Sequence, residues 1–458
     1  MLTAREITVA GPGQLSELRQ ALPGDVVVLK DGNWENATIR IMDGGDENRH
    51  LLVKAATPGA VILGGTSSLA IEAPYVTVEG LLFKHGALAK GAVVQFKSHD
   101  GIVRDSAIVD YNPADFRTAY HWVLFSGSNN RVEHCFFQGK NNLHAVVENG
   151  EPDCRHNAVV GCYFKDIPLR ARTNGREIVK VLGAGHVDAS SPDGAYFLLQ
   201  DNLFEQADGE GVEVISLKSN FNKVLHNTIV ASAGCLNIRR GDHNEVRNNV
   251  ILGRGRPGAQ GIRMSGANNL VQDNFISGCQ YGIAVSSGEY WAAALTPGYT
   301  VNDRAGSAPN KARYPQNRHV TIRGNVTVGN SGPDLDIGAM EYKKHWPENQ
   351  NVLIPEECRF ERNTFVRLHG GVSVVGVEQD TAPPLDRFAF KPNSYADNLL
   401  YGGTNDFAAA SGGFAEMAVP PGWTEDGALA AFKPLSLAQV GPAWMRATRQ
   451  AAGADRSR

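Results

Sequence analysis

Two glutamates, a lysine and three arginines fall close together in the middle of the chain. Asp208-Gly-Glu210-Gly-Val-Glu213 is followed by Lys218, then by Arg239-Arg240-Gly241 and by Gly261-Ile-Arg263. The intervals from Lys218 to Arg239 and from Arg239 to Arg263 are 21 and 24 residues. If that interval is one coil of a repeating structure, the three cations stack on one sheet at about 4.8 Å. Like charges so placed repel, and a fold gains nothing by building them unless they hold an anion. Glu210 and Glu213 can pair with only part of that charge. Crowding by cations disfavours a charged lysine, which fits Lys218 to act as a general base. Arginine keeps its proton, but its planar fork clamps a carboxylate and donates hydrogen bonds where negative charge develops. The acids, with an Asn from a neighbouring coil, offer the oxygen ligands that a calcium ion takes. The predicted site therefore receives an anionic substrate and can abstract a proton from it.

Such residues need a repeating scaffold, and the sequence carries one. Asn222-Lys-Val224-Leu-His-Asn227, Asn244-Glu-Val246-Arg-Asn-Asn249 and Asn269-Leu-Val271-Gln-Asp-Asn274 repeat one pattern, the second Asn recurring after 22 and then 25 residues. Asn130-Arg-Val132 and Asn157-Ala-Val159 are degenerate copies with Cys135 and Cys162 in the second-Asn slot, and Asn202, Asn325, Asn363 and Asn398 mark others. From Asn274 to Asn325 the interval is 51 residues, close to two periods. A period in the twenties with a polar residue at one corner is that of an all-β solenoid, the parallel β-helix, in which each coil buries its apolar positions only by stacking on its neighbours. Asn suits the corner because it tolerates left-handed backbone and its amide can hydrogen-bond up the stack. The 50 glycines and short apolar runs agree with many strands joined by turns.

A solenoid needs capped ends. Leu15 to Leu22 has helical spacing, ends at Pro23-Gly24 and precedes the apolar run Val26–Leu29, so it is predicted as an N-terminal cap helix. The segments from Gly288 to Gln316 and from Gly338 to Glu357 break the period and are expected as protruding loops on the binding face, with Tyr290, Trp291, Arg304 and Arg313 on the first and Tyr342, Lys343, Lys344, His345 and Trp346 on the second. One β-helix domain is expected over residues 1–430, followed by a packed tail and frayed end over 431–458.

Composition narrows the function classes. A formal net charge of −4 gives no basic field for nucleic acid or an anionic membrane. No apolar run approaches the roughly 18 residues that span a bilayer. The opening MLTAREITVAGPG lacks the features of a signal peptide, which predicts a cytosolic chain or a mature form. Six cysteines without a C-x-x-C pair signal neither a disulfide framework nor zinc. Gly253-Arg-Gly255-Arg-Pro257-Gly258 matches G-x-G-x-x-G, but the proline and the lack of a following helix make it a coil turn. Metalloprotease, serine hydrolase and NTPase motifs do not occur.

With these residues in place, the sequence resembles polysaccharide lyase family six, the alginate lyase and chondroitinase B group. The resemblance rests on Asn174-Gly-Arg-Glu177-Ile-Val-Lys180, on Asp208-Gly-Glu210 through Glu213 to Lys218-Ser219, and on Arg239-Arg240-Gly241-Asp-His-Asn244. Asn130 to Lys140 and Val440-Gly-Pro-Ala-Trp444 extend it over most of the chain. It implies a right-handed parallel β-helix with Lys218 as Brønsted base and Arg239 as Brønsted acid. It further implies calcium held by Asn174, Glu210 and Glu213, and substrate contacts from Arg263, Lys180, Arg240, Tyr120 and His121. Three departures stand out: two residues rather than one separate the calcium-binding glutamates, Arg240 replaces a histidine, and Lys180 replaces an arginine.

The implied reaction is β-elimination on an acidic polysaccharide, alginate first, with dermatan sulfate as the alternative polymer. A secreted or periplasmic location follows from the resemblance alone. Two other readings are a polygalacturonase-type hydrolase, which needs a cluster of aspartates that the strands do not offer, and a non-catalytic solenoid that binds acidic sugar. Oligomeric state is not encoded in any motif.

Overall fold

The computed structural model describes residues 4–150, 153–170, 174–183, 192–291, 314–339, 349–378 and 390–446. The fold is a right-handed parallel β-helix, in which successive coils add strands to three parallel sheets. The chain forms two compact units, one of Met1–Lys180, Phe197–Gly211 and Leu435–Arg458, the other of Val181–Tyr196 and Val212–Pro434.

In the first unit, alternating apolar residues make half-buried strands. Leu51–Ala55 buries Leu51, Val53 and Ala55 and turns Leu52 and Lys54 outward. Val26–Leu29 pairs in parallel with Glu6–Val9 and with Leu51–Ala55, as the apolar run predicts. The cap differs from expectation: it is a 3-10 helix over Pro12–Gln20 that buries only Leu18. A single inward residue gives too little apolar face to hold α-helical turns in place. Residues Leu435 to Arg446 return to this unit, where the Trp444 indole donates to the Asp105 carbonyl at 2.7 Å and the Gly441 amide to the Gly161 carbonyl at 2.7 Å. The frayed end expected after them lies outside the described residues.

The second unit holds two asparagine ladders. Asn222, Asn244 and Asn269 form one, and Asn227, Asn249, Asn274, Asn325, Asn363 and Asn398 the other. From the second rung of each ladder onward, the side-chain oxygen accepts both the amide and the backbone N–H of the preceding rung, for Asn249 at 3.0 and 2.9 Å. Cys162 occupies the same slot in the first unit, its sulfur accepting from the Cys135 backbone N–H at 3.4 Å.

Two expectations are corrected by these ladders. Left-handed backbone belongs to the residue before each ladder position, at His226, Asn248, Asp273 and Arg362, while the ladder asparagines themselves stay in the ordinary regions. The preceding residue turns the corner so that the amide can point inward. The 51-residue interval is one coil with an insertion, because Asn274 bonds Asn325 directly at 2.9 Å. That insertion begins in the strand Gly288–Trp291, which pairs antiparallel with Asn349–Leu353 at the end of the second period-breaking segment. Arg304, Arg313 and Tyr342 to Trp346 lie outside the described residues.

Candidate active site

Three neighbouring strands of the second unit, Glu213–Leu217, Gly234–Ile238 and Ala259–Met264, carry the basic cluster. Leu217, Ile238 and Met264 are paired across them and fully buried. Alternation then turns Lys218, Arg239, Asn237 and Arg263 to the outer face. The Arg239 amide donates to the Leu217 carbonyl at 2.9 Å, which sets Lys218 and Arg239 on adjacent rungs of one column. Arg263 is not the third member of that column. It pairs with Asn237, one outward position earlier, because Ile238 meets Met264 after a longer coil that carries a register shift near Gly234. The expected ladder is thus a pair of bases with a third set beside it.

Glu213 is the hub of this arrangement. Its Oε1 accepts from Asn237 Nδ2 at 2.7 Å and Arg263 Nη2 at 3.0 Å, and lies 3.7 Å from Arg239 Nε. Burial works against the Arg263 cation, but Cys235, Tyr281 and Glu213 outweigh it and raise its pKa above the ordinary value. The Arg239 guanidinium carbon lies 3.7 Å from the centre of the Tyr314 ring. Lys218 and Arg240 are half-buried, and the Arg240 amide donates to the Leu217 carbonyl at 3.2 Å.

A second polar cluster lies in the first unit. Glu148 Oε2 is 3.1 Å from both His121 Nε2 and Lys180 Nζ, and the His144 ring lies tilted against His121 with centroids 4.5 Å apart. Burial alone would raise the Glu148 carboxyl, but the His121 hydrogen bond and the charges of His121 and Lys180 hold it at about 2. Lys180 is disfavoured by burial, yet Glu148 and Glu177 raise its pKa above the ordinary range. Lys180 is therefore an ion-paired base, and His121, almost buried, is its neighbour. Tyr120, expected to touch substrate, is a core residue. It is fully buried, because its hydroxyl donates at 2.7 Å to the Tyr111 carbonyl, which also accepts from the buried Trp122 indole at 3.1 Å.

The acids expected to bind metal divide between the units. Glu210 Oε2 accepts from the Gly175 and Arg176 backbone amides at 2.7 and 3.3 Å, fastening the turn that carries exposed Asn174. Gly175 has φ +92°, which the turn requires and a side chain would oppose. Arg176 clips that turn from below, its Nη1 donating to the Gly209 carbonyl at 2.7 Å and its Nε to the Asn142 carbonyl at 3.1 Å. Buried Glu177 brings a carboxylate oxygen within 4.8 Å of one of Glu210. Two acids that close repel unless a cation lies with them, and an all-oxygen donor set suits a hard cation, so this pair fits calcium. Glu177 was not among the expected acids although it stands in the same short motif as Asn174. Glu148 and Tyr314 were missed too; Glu148 belongs to no motif, whereas Tyr314 lies inside the segment that breaks the period.

The sequence profile of the Chondroitinase B family matches residues 13–288. A PL6 family polysaccharide lyase from Pseudopedobacter saltans is 35% identical, with 96% of this chain and 99% of that chain covered and a TM-score of 0.84. A mannuronic acid specific family 6 lyase from human gut microbiota is 24% identical over 99% of this chain and 100% of that one, with a TM-score of 0.79. The PL6 alginate lyase AlyGC is 24% identical over 95% of this chain and 57% of that one, with a TM-score of 0.76. Comparison with curated proteins finds no match. Fold and matches define a polysaccharide lyase built on a parallel β-helix. The chain belongs to polysaccharide lyase family six.

Proposed function

We propose that this lyase cleaves alginate by β-elimination, with Lys218 as base and Arg239 assisting the leaving group. The observation that carries the reading is the placement of Lys218 and Arg239 on adjacent rungs of one outward column, with Arg263 and Glu213 beside them. The C5 proton of a uronate next to its carboxylate is a very weak acid, so that carboxylate must be neutralised before a base can act. Arg263 and Arg240 supply fixed cations for this. Neutral Lys218 removes the C5 proton, the C4–O bond breaks, and the C4–C5 double bond forms. Arg239 donates hydrogen bonds to the departing oxygen, which in net ends with the proton that C5 lost. Calcium, when held by Asn174, Glu177 and Glu210, would supply further neutralisation of a substrate carboxylate. Glu213, the other acid assigned to metal by resemblance, has one oxygen engaged by Asn237 and Arg263. Polymers too large to cross a membrane intact are met outside the cytoplasm, so we place the enzyme in the periplasm or beyond the cell.

Support for alginate comes from the structurally similar mannuronic acid specific and alginate lyases. The Chondroitinase B profile favours a second polymer, dermatan sulfate. The test is ultraviolet absorbance of the unsaturated uronate on mannuronate blocks, guluronate blocks and dermatan sulfate, with Lys218→Ala in parallel. A rise on alginate that Lys218→Ala lowers by about 10³-fold or more is expected, the scale of a lost general base. A rise on dermatan sulfate alone would replace the substrate, and full turnover by Lys218→Ala would remove Lys218 as base.

A further inference from the structure

The face of Arg239 that its role leaves unexplained lies on an aromatic ring. Its guanidinium carbon is 3.7 Å from the Tyr314 ring centre, the distance of flat stacking and too short for an N–H pointing edge-on into the ring. A stacked guanidinium keeps its five N–H groups in one plane. One edge of that plane faces Glu213, with Nε 3.7 Å from Oε1. Glu213 is itself fixed by Asn237 and Arg263. Two contacts, one on the face and one on the edge, leave a long side chain little freedom to rotate.

The ring is held by backbone rather than by chance packing. The Tyr314 carbonyl accepts from the Glu289 amide at 2.8 Å. Two residues on, Gln316 crosses Gly288 so closely that a Cβ there would lie 2.6 Å from the Gln316 Cα. Gln316 is buried and donates through Nε2 to the Ile354 carbonyl at 2.8 Å. The end of the first period-breaking segment is thus tied to the strand Gly288–Trp291 at two points, and Tyr314 projects from that tie onto Arg239.

We propose that Tyr314 is the positioning residue for Arg239, fixing the plane in which it presents N–H groups to the departing oxygen. The inference rests on the reading of Arg239 as the group that assists departure. Its contribution belongs to the ring face and not to the hydroxyl. It acts on turnover more than on affinity, because a misaligned Arg239 still offers its charge to a bound polyanion while losing its aim in the transition state.

The experiment measures kcat and KM on the active polymer for Tyr314→Leu, Tyr314→Phe, Arg239→Ala and the double variant Tyr314→Leu/Arg239→Ala, with a thermal melt of each. Tyr314→Leu should lower kcat about 10-fold or more and move KM by less than about 3-fold, as expected of an interaction realised in the transition state. Tyr314→Phe should keep most of the turnover that Tyr314→Leu loses. In the Arg239→Ala background, Tyr314→Leu should cost nothing further. An undiminished loss in that background, or a loss as large for Tyr314→Phe as for Tyr314→Leu, overturns the assignment while leaving Arg239 in its role. Full turnover by Arg239→Ala would instead overturn the reading of Arg239, and the inference with it. A 3-fold or greater rise in KM with kcat unchanged would make Tyr314 a substrate contact and overturn it as well.

Discussion

Glu148 shows how one residue can make a cationic site stable and sensitive to acid at once. It is almost buried between His121 and Lys180, and its carboxyl is held at about 2 against an ordinary value of 4.5. A carboxylate depressed in the folded state contributes stability that is fully present above its ordinary value and is lost as pH falls toward the folded value. The window here runs from about pH 5 down to about pH 2. Glu148→Gln should therefore destabilise the protein at pH 7 by on the order of 2–3 kcal/mol, with the difference narrowing as pH falls below about 4. Melting temperatures of the two proteins at pH 7, 5 and 3 check this; a gap that stays constant across that series would show that Glu148 is not charged and paired as described. The same ion pair explains a feature of Lys180. Standing where the resemblance puts a bidentate arginine, it already has an anionic partner, so it meets a substrate with part of its charge spent.

At the scale of the strand and its corner, the asparagine ladders carry the coil. Asn249 is fully buried, and its Oδ1 accepts from the Asn227 backbone and amide. Its Nδ2 donates to the carbonyls of Val224 and Arg247 and to Asn274. Asn249→Ala would leave several of these groups buried without partners, at about 1–3 kcal/mol each. A loss of roughly 3–5 kcal/mol in urea unfolding is expected for Asn249→Ala, and a loss below about 1 kcal/mol would mean that water replaces the amide. These ladders were legible in the sequence because one buried polar contact repeats at every coil and leaves a period. The column of Lys218 and Arg239 was legible for the same reason. Arg263 was misplaced by one outward position, since coil length varies and a register shift near Gly234 leaves no mark in residue types. Tyr120 was misjudged because a lone aromatic beside a histidine reads the same whether it faces in or out. Tyr314 could be named only once the fold had brought it to Arg239, as it belongs to no repeating position, whereas Glu177 was overlooked inside the motif that carries Asn174.

Across the whole molecule the charges nearly cancel, at −4 net, yet the first unit crowds two carboxylates within 4.8 Å at Glu177 and Glu210. Backbone amides of Gly175 and Arg176 relieve Glu210 in part. Burial of Glu177 removes the water that would otherwise screen it. The folded chain thus holds an anionic pair that the unfolded chain, with its acids far apart in water, does not. A divalent cation that binds the pair binds the folded state alone, and such binding raises stability by about 2.7 kcal/mol at a hundredfold excess over its dissociation constant. Calcium is therefore expected to raise the melting temperature in a saturable way, and magnesium less so, because Mg²⁺ demands stricter octahedral geometry and gives up its water reluctantly. Glu177→Gln should abolish most of that rise. A calcium response that survives in Glu177→Gln would place the cation elsewhere.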